Sequence, residues 1–536
     1  MIRKSSVPFV IRAVFFGLLA TLTAGQAARA QRTTAFKDLT TYVKWVQSKH
    51  KAPFDRDGSV LPQGAAKALR ERARAALATA AVQFQNDRVN QDKNPWPKAE
   101  IAAAVDPTNG RNYVVMSNDF RLNFDHMFFH SSTDGGETFS DDSMVGGSDP
   151  FTGFIPLTFQ SDPGVSFDRA GNSYLSTISG NLIFDGNNSY ENLDTEIEVA
   201  QGAAHGTYAS LIPTPIDDQP CNGLFGSVFT FTCNAVLDKP LITTDNSGTA
   251  SDGTTYVYYT LFCQSSSGCS DGSATNIPAF SSVILESHSA GAGLPFSAPA
   301  LVSGALANAQ FSDMVVDATG KAHIFFDDFT NFPVIKMWQS TLRGGTWVVS
   351  HSPAATFIFN GLGNVNWAFR DNGAEAPGCG IHSEIAYCAF SANQVAGGRL
   401  EGSPSVYLAA VDTATGGSRV TRVNSDPFGD LKHHFFAWAT TTPGGAVYVG
   451  WYDDRNDPFS TNVQYFVGKS TDGGKTFPIQ KAVSDTAFNP CTGFPGCGFF
   501  GDYVQLVSGP DGVVHAAWSD TRDGASMQIW SEAISW

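Results

Sequence analysis

The chain has 536 residues, 42% of them hydrophobic, with 34 Lys and Arg against 50 Asp and Glu and a net charge of −16. That balance excludes nucleic acid and anionic membrane surfaces as partners, since both select basic faces. Low charge, 52 glycines and 41 phenylalanines point to a turn-rich, all-β body.

The first 30 residues read as a secretory signal peptide: Arg3 and Lys4 form a basic start, 13–22 is an apolar run too short to span a bilayer, and Ala28-Arg29-Ala30 is a small-x-small cleavage signal. No later stretch could span a membrane. Cleavage after Ala30 leaves 30 basic and 50 acidic residues, or −20, in a secreted or periplasmic protein. Residues 31–97 form a helical N-terminal appendage: Phe36, Leu39, Tyr42, Val43 and Val46 sit at helical spacing, and an Ala- and Arg-rich run extends from Ala65 to Phe84.

From residue 98 onward one strand recurs seven times, marked by Tyr113, Tyr174, Tyr256, His323, Tyr387, Tyr448 and His515. These span 402 residues over six intervals, a mean of 67. Most copies follow a Gly-containing turn, and a strand precedes each turn. Two near-identical elements, Ser132-Thr133-Asp134-Gly135-Gly136-Glu137-Thr138-Phe139 and Ser470-Thr471-Asp472-Gly473-Gly474-Lys475-Thr476-Phe477, read as tight turns later in the unit. A degenerate copy, Ser340 to Trp347, keeps the frame without the Asp. Each unit is thus strand A, turn, strand B, loop, strand C, Asp-box turn, strand D. A repeated four-stranded antiparallel unit predicts a β-propeller over 98–536, with seven blades preferred and six the alternative. The last blade must take its fourth strand from residues just before Lys98. The chain is expected to be a monomer.

The eight cysteines fall in close pairs, Cys221 with Cys233, Cys263 with Cys269, Cys379 with Cys388, and Cys491 with Cys497. In an exported chain such pairs predict four local disulfides. Two are expected in D–A connections, one in a B–C loop, and Cys379–Cys388 between an inserted A–B loop and strand B.

Propeller topology puts B–C loops and D–A connections on one face. Acids and arginines collect there: Asp453 and Arg455, Asp520 and Arg522, Asp328 and Asn118 at the position of Asp453, and Asp162, Asp502 and Tyr503 at strand-A starts. Asp–x–Arg pairs can pin loops locally. The acids, with Asp327, Asp328 and Asp454 as candidates, could also bind Ca²⁺, although no cofactor is required.

The two boxes and the repeated Trp-x-Asp-x-Arg loops (Trp451 to Arg455, Trp518 to Arg522) resemble the sialidase-like, Asp-box (BNR-repeat) superfamily of secreted propellers. The resemblance implies a glycan or glycoprotein substrate and exo-sialidase-type hydrolysis, with a Tyr nucleophile, a Glu that activates it, an Asp acid/base and three arginines on the substrate carboxylate. Gly501 to Leu506 looks like the family's nucleophile strand, which makes Tyr503 the nucleophile candidate. Arg455 and Arg522 are clamp candidates, with Arg121 and Arg370 competing for the third place. Asp119 or Asp162 is the acid candidate, and Asp453, Asp520 and Asp502 line the substrate site. No Glu is well placed as activator. The family's Arg-Ile-Pro motif is absent, so a non-catalytic glycan- or protein-binding propeller is the alternative.

Overall fold

A computed structural model describes residues 84–536, apart from 94, 122–125, 145–158, 181, 185–189, 203–213, 226–228, 273, 365, 370–376 and 525. The signal segment, the appendage up to residue 83 and Arg370 lie outside the described residues.

Seven antiparallel blades follow one another along the chain, with a separate two-stranded ribbon, Cys269–Asp271 and Ala274–Ile277, in a loop of blade three. Blade one is Lys98–Asp106, Asn109–Asp119, His126–Ser132 and Ser140–Met144. Blade two runs from Phe159–Phe167 and Ser173–Gly180 through Tyr190–Gln201 and Thr214–Phe225 to an extra edge strand, Phe229–Cys233. Blade three is Ala235–Thr244, Thr255–Cys263, Ser282–Ser289 and Ala300–Leu301. Blade four is Ala309–Val316, Ala322–Asn331, Val334–Arg343 and Ala355–Ile358, edged by Gln394–Val395 from the next blade's loop. Blade five is Gly378–His382, Ile385–Ala392, Ser405–Asp412 and Ser418–Arg422. Blade six is His434–Thr441, Val447–Asp453, Gln464–Ser470 and Ile479–Ala482. Blade seven has Leu506–Ser508, Val514–Asp520 and Gln528–Ile534, and its fourth strand is Asp87–Arg88.

The inner strand of each blade packs on that of the next, and blade seven's on blade one's, so the array is a closed seven-bladed propeller. Closure brings the two ends of the body together: Asp87 pairs with Ser531 and Arg88 with Trp530. The strand comes from before Lys98, as expected, so the propeller takes in residues from inside the 31–97 segment. Among the described residues helix is limited to two 3-10 turns, Pro490–Thr492 and Pro495–Cys497.

All seven marker residues lie on second strands. These strands read as continuous apolar runs because blades stack face to face and bury both sides; Val447–Asp453 is buried at every position. Trp518, Tyr452 and Tyr465 fill the space between blades six and seven, where Tyr465 and Trp518 stack at 5.3 Å, while Trp451 on the opposite face packs between blades five and six.

The two Ser-x-Asp-Gly-Gly-x-Thr-Phe elements fold alike at the third-to-fourth-strand turns of blades one and six. Ser132 Oγ donates to Asp134 at 2.7 Å and Thr138 N donates to the same carboxylate at 2.9 Å. Ser470 and Thr476 repeat this on Asp472 at 2.7 and 3.0 Å. Gly473 and Gly474 take left-handed conformations that a side chain would strain. Phe139 and Phe477 turn back into the core.

Three disulfides are present among residues with described side chains: Cys263–Cys269, Cys379–Cys388 and Cys491–Cys497. Two placements differ from expectation. Cys379 lies on the inner strand of blade five, in register with Cys388, so that bond ties strand A directly to strand B. Cys221 and Cys233 are register partners on the outer strands of blade two, because that blade extends by one strand into what reads as a connection.

Candidate functional site

Five of the seven inner strands break register at one residue held in the left-handed region: Glu100, Asp162, Lys239, Phe311 and Phe436, with φ between 50° and 56°. A non-glycine residue there costs about 1–2 kcal/mol. A fold that repeats this cost around a ring uses it to aim side chains, and such strain concentrates at working sites.

The aimed side chains meet across the axis. Lys239 Nζ of blade three donates to Asp502 of blade seven at 2.8 Å. The same ammonium lies 5.0 Å from the centre of the Tyr503 ring and 5.4 Å from that of Phe311. Tyr503 donates its hydroxyl to the Pro163 carbonyl of blade two at 2.8 Å, and its ring stands 6.5 Å from Trp438 of blade six. Asn118 Nδ2 donates to Glu100 and, at 3.0 Å, to Ser161 Oγ, while its Oδ1 accepts from Asp162 N at 2.9 Å. Asn118 thus bridges Glu100 and Asp162. Burial, and then the Asp162 and Asp502 carboxylates, push the Glu100 carboxyl well above the ordinary glutamate range, with Lys239 opposing. A carboxyl that resists ionisation thus stands beside a second carboxyl, an ion pair and a phenol. Each of these five residues is at most 8% exposed.

Asp162, Asp502 and Tyr503 of the sequence-based set belong to this cluster. The arginines stand elsewhere, in one device built three times. In blade six Asp453 accepts from Arg455 N at 2.8 Å and Nε at 2.7 Å, and from Trp451 Nε1 at 2.7 Å. In blade seven Asp520 accepts from Arg522 N at 2.7 Å, Nε at 2.8 Å and Trp518 Nε1 at 3.1 Å. In blade one Asp119 accepts from Arg121 N at 2.8 Å and Nε at 2.9 Å. Each guanidinium also reaches a carboxylate of the connection leading into its blade: Asp426 for Arg455 at 3.1 Å, Asp485 for Arg522, and Asp92 for Arg121 at 3.3 Å. Each lies over a third-strand aromatic, Phe466, Trp530 or Phe128, within 4.7 Å. The third strand is two places out from the inner one, about 10 Å at sheet spacing. The clasps therefore fasten incoming connections to blades, away from Tyr503.

These contacts correct one alignment. Asp119, not Asn118, is blade one's counterpart of Asp453. Its inner-strand partner is Lys98, as that of Asp453 is His434. Lys98 is fully buried and reaches Asp92 at 3.2 Å and Asp119 at 3.8 Å.

The Ca²⁺ candidates do not converge. Asp454 sits in blade six with its carboxylate on His433 Nδ1 at 2.8 Å. Asp327 and Asp328 are successive residues of one blade-four strand and so point to opposite faces. Asp328 accepts from Thr330 N at 3.0 Å. Asp327 is fully buried, and neither of its oxygens has a hydrogen-bond partner. Burial and then Asp328 raise its pKa well above the usual range. Among the described residues, Asp426, His434 and Asp453 bring ligand atoms within 4.8 Å of one another. Arg455 Nη2 already lies 2.6 Å from Asp453 and supplies the positive charge there.

His434 makes this last cluster pH-sensitive. Its Nδ1 faces the Pro404 carbonyl at 2.9 Å, and its Nε2 faces Asp426 at 3.2 Å and Asp453 at 3.4 Å. Burial pulls its pKa down, but Asp453 and Asp426 outweigh burial and the net shift is upward. A histidine with a raised folded pKa contributes stability that is full below about 6.5 and is lost as pH rises through the raised value. The wild-type protein is therefore expected to lose more melting temperature from pH 6 to 9 than His434→Asn does; parallel curves would refute the assignment.

Glu100, Lys239, Phe311 and Phe436 are site residues that the sequence reading did not reach, and Asn118 was reached only as a counterpart of Asp453. One signal was available. Asp162, Phe311, Phe436 and Tyr503 each stand 12 residues ahead of their blade's marker Tyr or His, and Glu100 stands 13 ahead of Tyr113.

The architecture is that of a seven-bladed antiparallel propeller with an acid-rich axis. No family model and no curated protein matches the chain. Solved structures similar to it include the GH93 α-L-arabinofuranosidase of Fusarium graminearum, at 10% identity and TM-score 0.38, covering 85% of this chain and 98% of that one. A Hadza microbial sialidase is similar at 11% identity and TM-score 0.40, covering 80% of this chain and 74% of that one. A protein of unknown function from Dyadobacter fermentans is similar at 10% identity and TM-score 0.40, covering 69% and 94%. Likeness at this level concerns the blade architecture alone.

Proposed function

We propose that this is an exported, glycan-directed propeller that hydrolyses a glycosidic bond at the axial cluster. The observation that carries the reading is the buried Glu100–Asp162 pair bridged by Asn118, with the Glu100 carboxyl pushed well above the ordinary glutamate range, beside Tyr503. Carboxyls whose environments push their pKa values apart can divide acid and base roles, and a Tyr nucleophile is an accepted variant of glycoside hydrolysis. In this reading Tyr503 attacks the anomeric carbon and gives its proton to Asp162, the Glu100 carboxyl protonates the leaving-group oxygen, and the resulting Glu100 carboxylate then takes a proton from the water that releases the sugar. Asp119 belongs to a clasp, and the clamp role of Arg121, Arg455 and Arg522 requires their release from Asp119, Asp453 and Asp520.

A panel of fluorogenic sialosides, aryl α-L-arabinofuranosides and other aryl glycosides tests it. Turnover is expected on at least one, and Tyr503→Phe is expected to lower kcat by ~10³-fold or more. Folded protein inert on the whole panel, or a fully active Tyr503→Phe, overturns the reading.

The near-complete burial of the cluster favours a second reading, a non-catalytic propeller binding glycans or glycoproteins through its loops. It predicts retention on a glycan array without turnover.

A further inference from the structure

The charges at the axis are unevenly matched. Glu100, Asp162 and Asp502 bring three carboxyls to it, and Lys239 brings an ammonium. That ammonium is engaged: it bonds to Asp502 at 2.8 Å and lies over the Tyr503 and Phe311 rings. The Lys239 backbone N–H donates to Asp162 at 3.3 Å, so one residue ties two of the acids into a single group. Glu100 reports the local potential. The Asp162 and Asp502 carboxylates each resist a further negative charge at its position more than Lys239 favours one.

The three clasp arginines do not redress the balance, because each holds two carboxylates already. Arg455 is shared by Asp453 and Asp426, Arg522 by Asp520 and Asp485, and Arg121 by Asp119 and Asp92. A guanidinium that left its clasp for a ligand would strand Asp453, Asp520 or Asp119, all of them buried, which is strongly unfavourable. The remaining lining is aromatic. Phe311 and Phe436 stand at the left-handed positions of their inner strands, and the Trp438 ring lies 6.5 Å from that of Tyr503. Aromatic faces carry a negative quadrupole, so they accept C–H groups and cations and offer nothing to a carboxylate.

We propose that the axial site selects glycosides whose sugar at the point of cleavage is uncharged, and rejects those that carry a carboxylate there, sialosides and uronides alike. Such selection rests on the reading above, in which the glycan binds at the axis. It acts through the unpaired charge that the wrong ligand would bury among acids.

Hydrolysis of 4-nitrophenyl glycosides tests it, with neutral hexosides and pentosides, pyranose and furanose, set against the glucuronide, the galacturonide and a sialoside. Quenching of tryptophan fluorescence by the corresponding methyl glycosides reads binding without turnover. In kcat/KM, or in affinity where nothing is cleaved, the best neutral sugar is expected to exceed every anionic one by at least ~10-fold. Asp502→Asn removes one carboxylate and releases Lys239, and is expected to narrow that ratio by at least ~3-fold; Lys239→Met is expected to widen it. A sialoside or uronide handled within ~10-fold of the best neutral sugar overturns the selection while leaving hydrolysis standing, and its loss in Arg370→Ala would assign the carboxylate to Arg370. A folded Asp502→Asn with an unchanged ratio also overturns it. A neutral sugar bound but never cleaved overturns hydrolysis and supports the selection. Neither binding nor turnover on any compound overturns both.

Discussion

Asp453→Ala is expected to destabilise the folded protein by about 3–5 kcal/mol, because removing one partner of a buried pair strands the other. Asp453 is 1% exposed and serves Trp451 Nε1, Arg455 N and Arg455 Nε at once, with His434 Nε2 3.4 Å away. Alanine satisfies none of them, and the Arg455 guanidinium keeps only Asp426 as a carboxylate partner in the clasp. The loss should be larger at pH 6 than at pH 8, since the charged imidazole also loses its nearest favourable influence at the lower pH. Asp472→Ala is the matched control. Its carboxylate also organises a turn, but in solvent, where exposed interactions contribute about 0–1 kcal/mol. Urea unfolding of both variants checks the contrast. A loss below about 1 kcal/mol for Asp453→Ala would mean that the three Asp-x-Arg clasps are ornaments of the loops rather than fasteners of the ring.

The blade frame was legible because each second strand must bury both faces, which enforces an aromatic-led apolar run at a fixed place in every unit. The turn elements were legible for a similar reason: Asp134 and Asp472 bond to their own turns, so the chemistry is local and sits in eight consecutive residues. The axial cluster was less legible because its partners are hundreds of residues apart and one blade is out of step. Blade one has six positions from Tyr113 to Asp119, where blades six and seven have five from Tyr448 to Asp453 and from His515 to Asp520. Aligning Asn118 with Asp453 is a one-residue slip, and in a strand one residue exchanges the two faces. With the slip removed, Asp119 faces the clasp, Asn118 faces the axis, and Glu100 comes into view as Asn118's partner. The arginines misled for the opposite reason. A guanidinium near carboxylates has the same sequence signature whether it awaits a substrate or fastens a connection, and only the stacked third-strand aromatics and Asp92, Asp426 and Asp485 distinguish the two.

Glu100→Gln is expected to raise stability while abolishing function. The protonated glutamic acid and glutamine have the same shape, and the amide oxygen can still accept from Asn118. What the substitution removes is an ionisable group in a cluster that already holds Asp162 and Asp502. An acid whose folded pKa is raised contributes most to stability below its unfolded value, about 4.3, and contributes progressively less as pH climbs toward the folded value. The stability advantage of Glu100→Gln should therefore grow from pH 5 to pH 8, reaching about 1–2 kcal/mol, a typical gain for relieving a strained site. Over the same interval kcat on any glycoside the wild type cleaves should fall by ~10²–10⁴-fold, the usual contribution of a positioned acid or base. The two readouts separate the ideas. A variant that is no more stable at pH 8 than the wild type refutes the raised pKa of the Glu100 carboxyl. A variant that is more stable and fully active leaves the carboxyl pair as a feature of the ring alone, and glycoside cleavage without the acid that its chemistry requires.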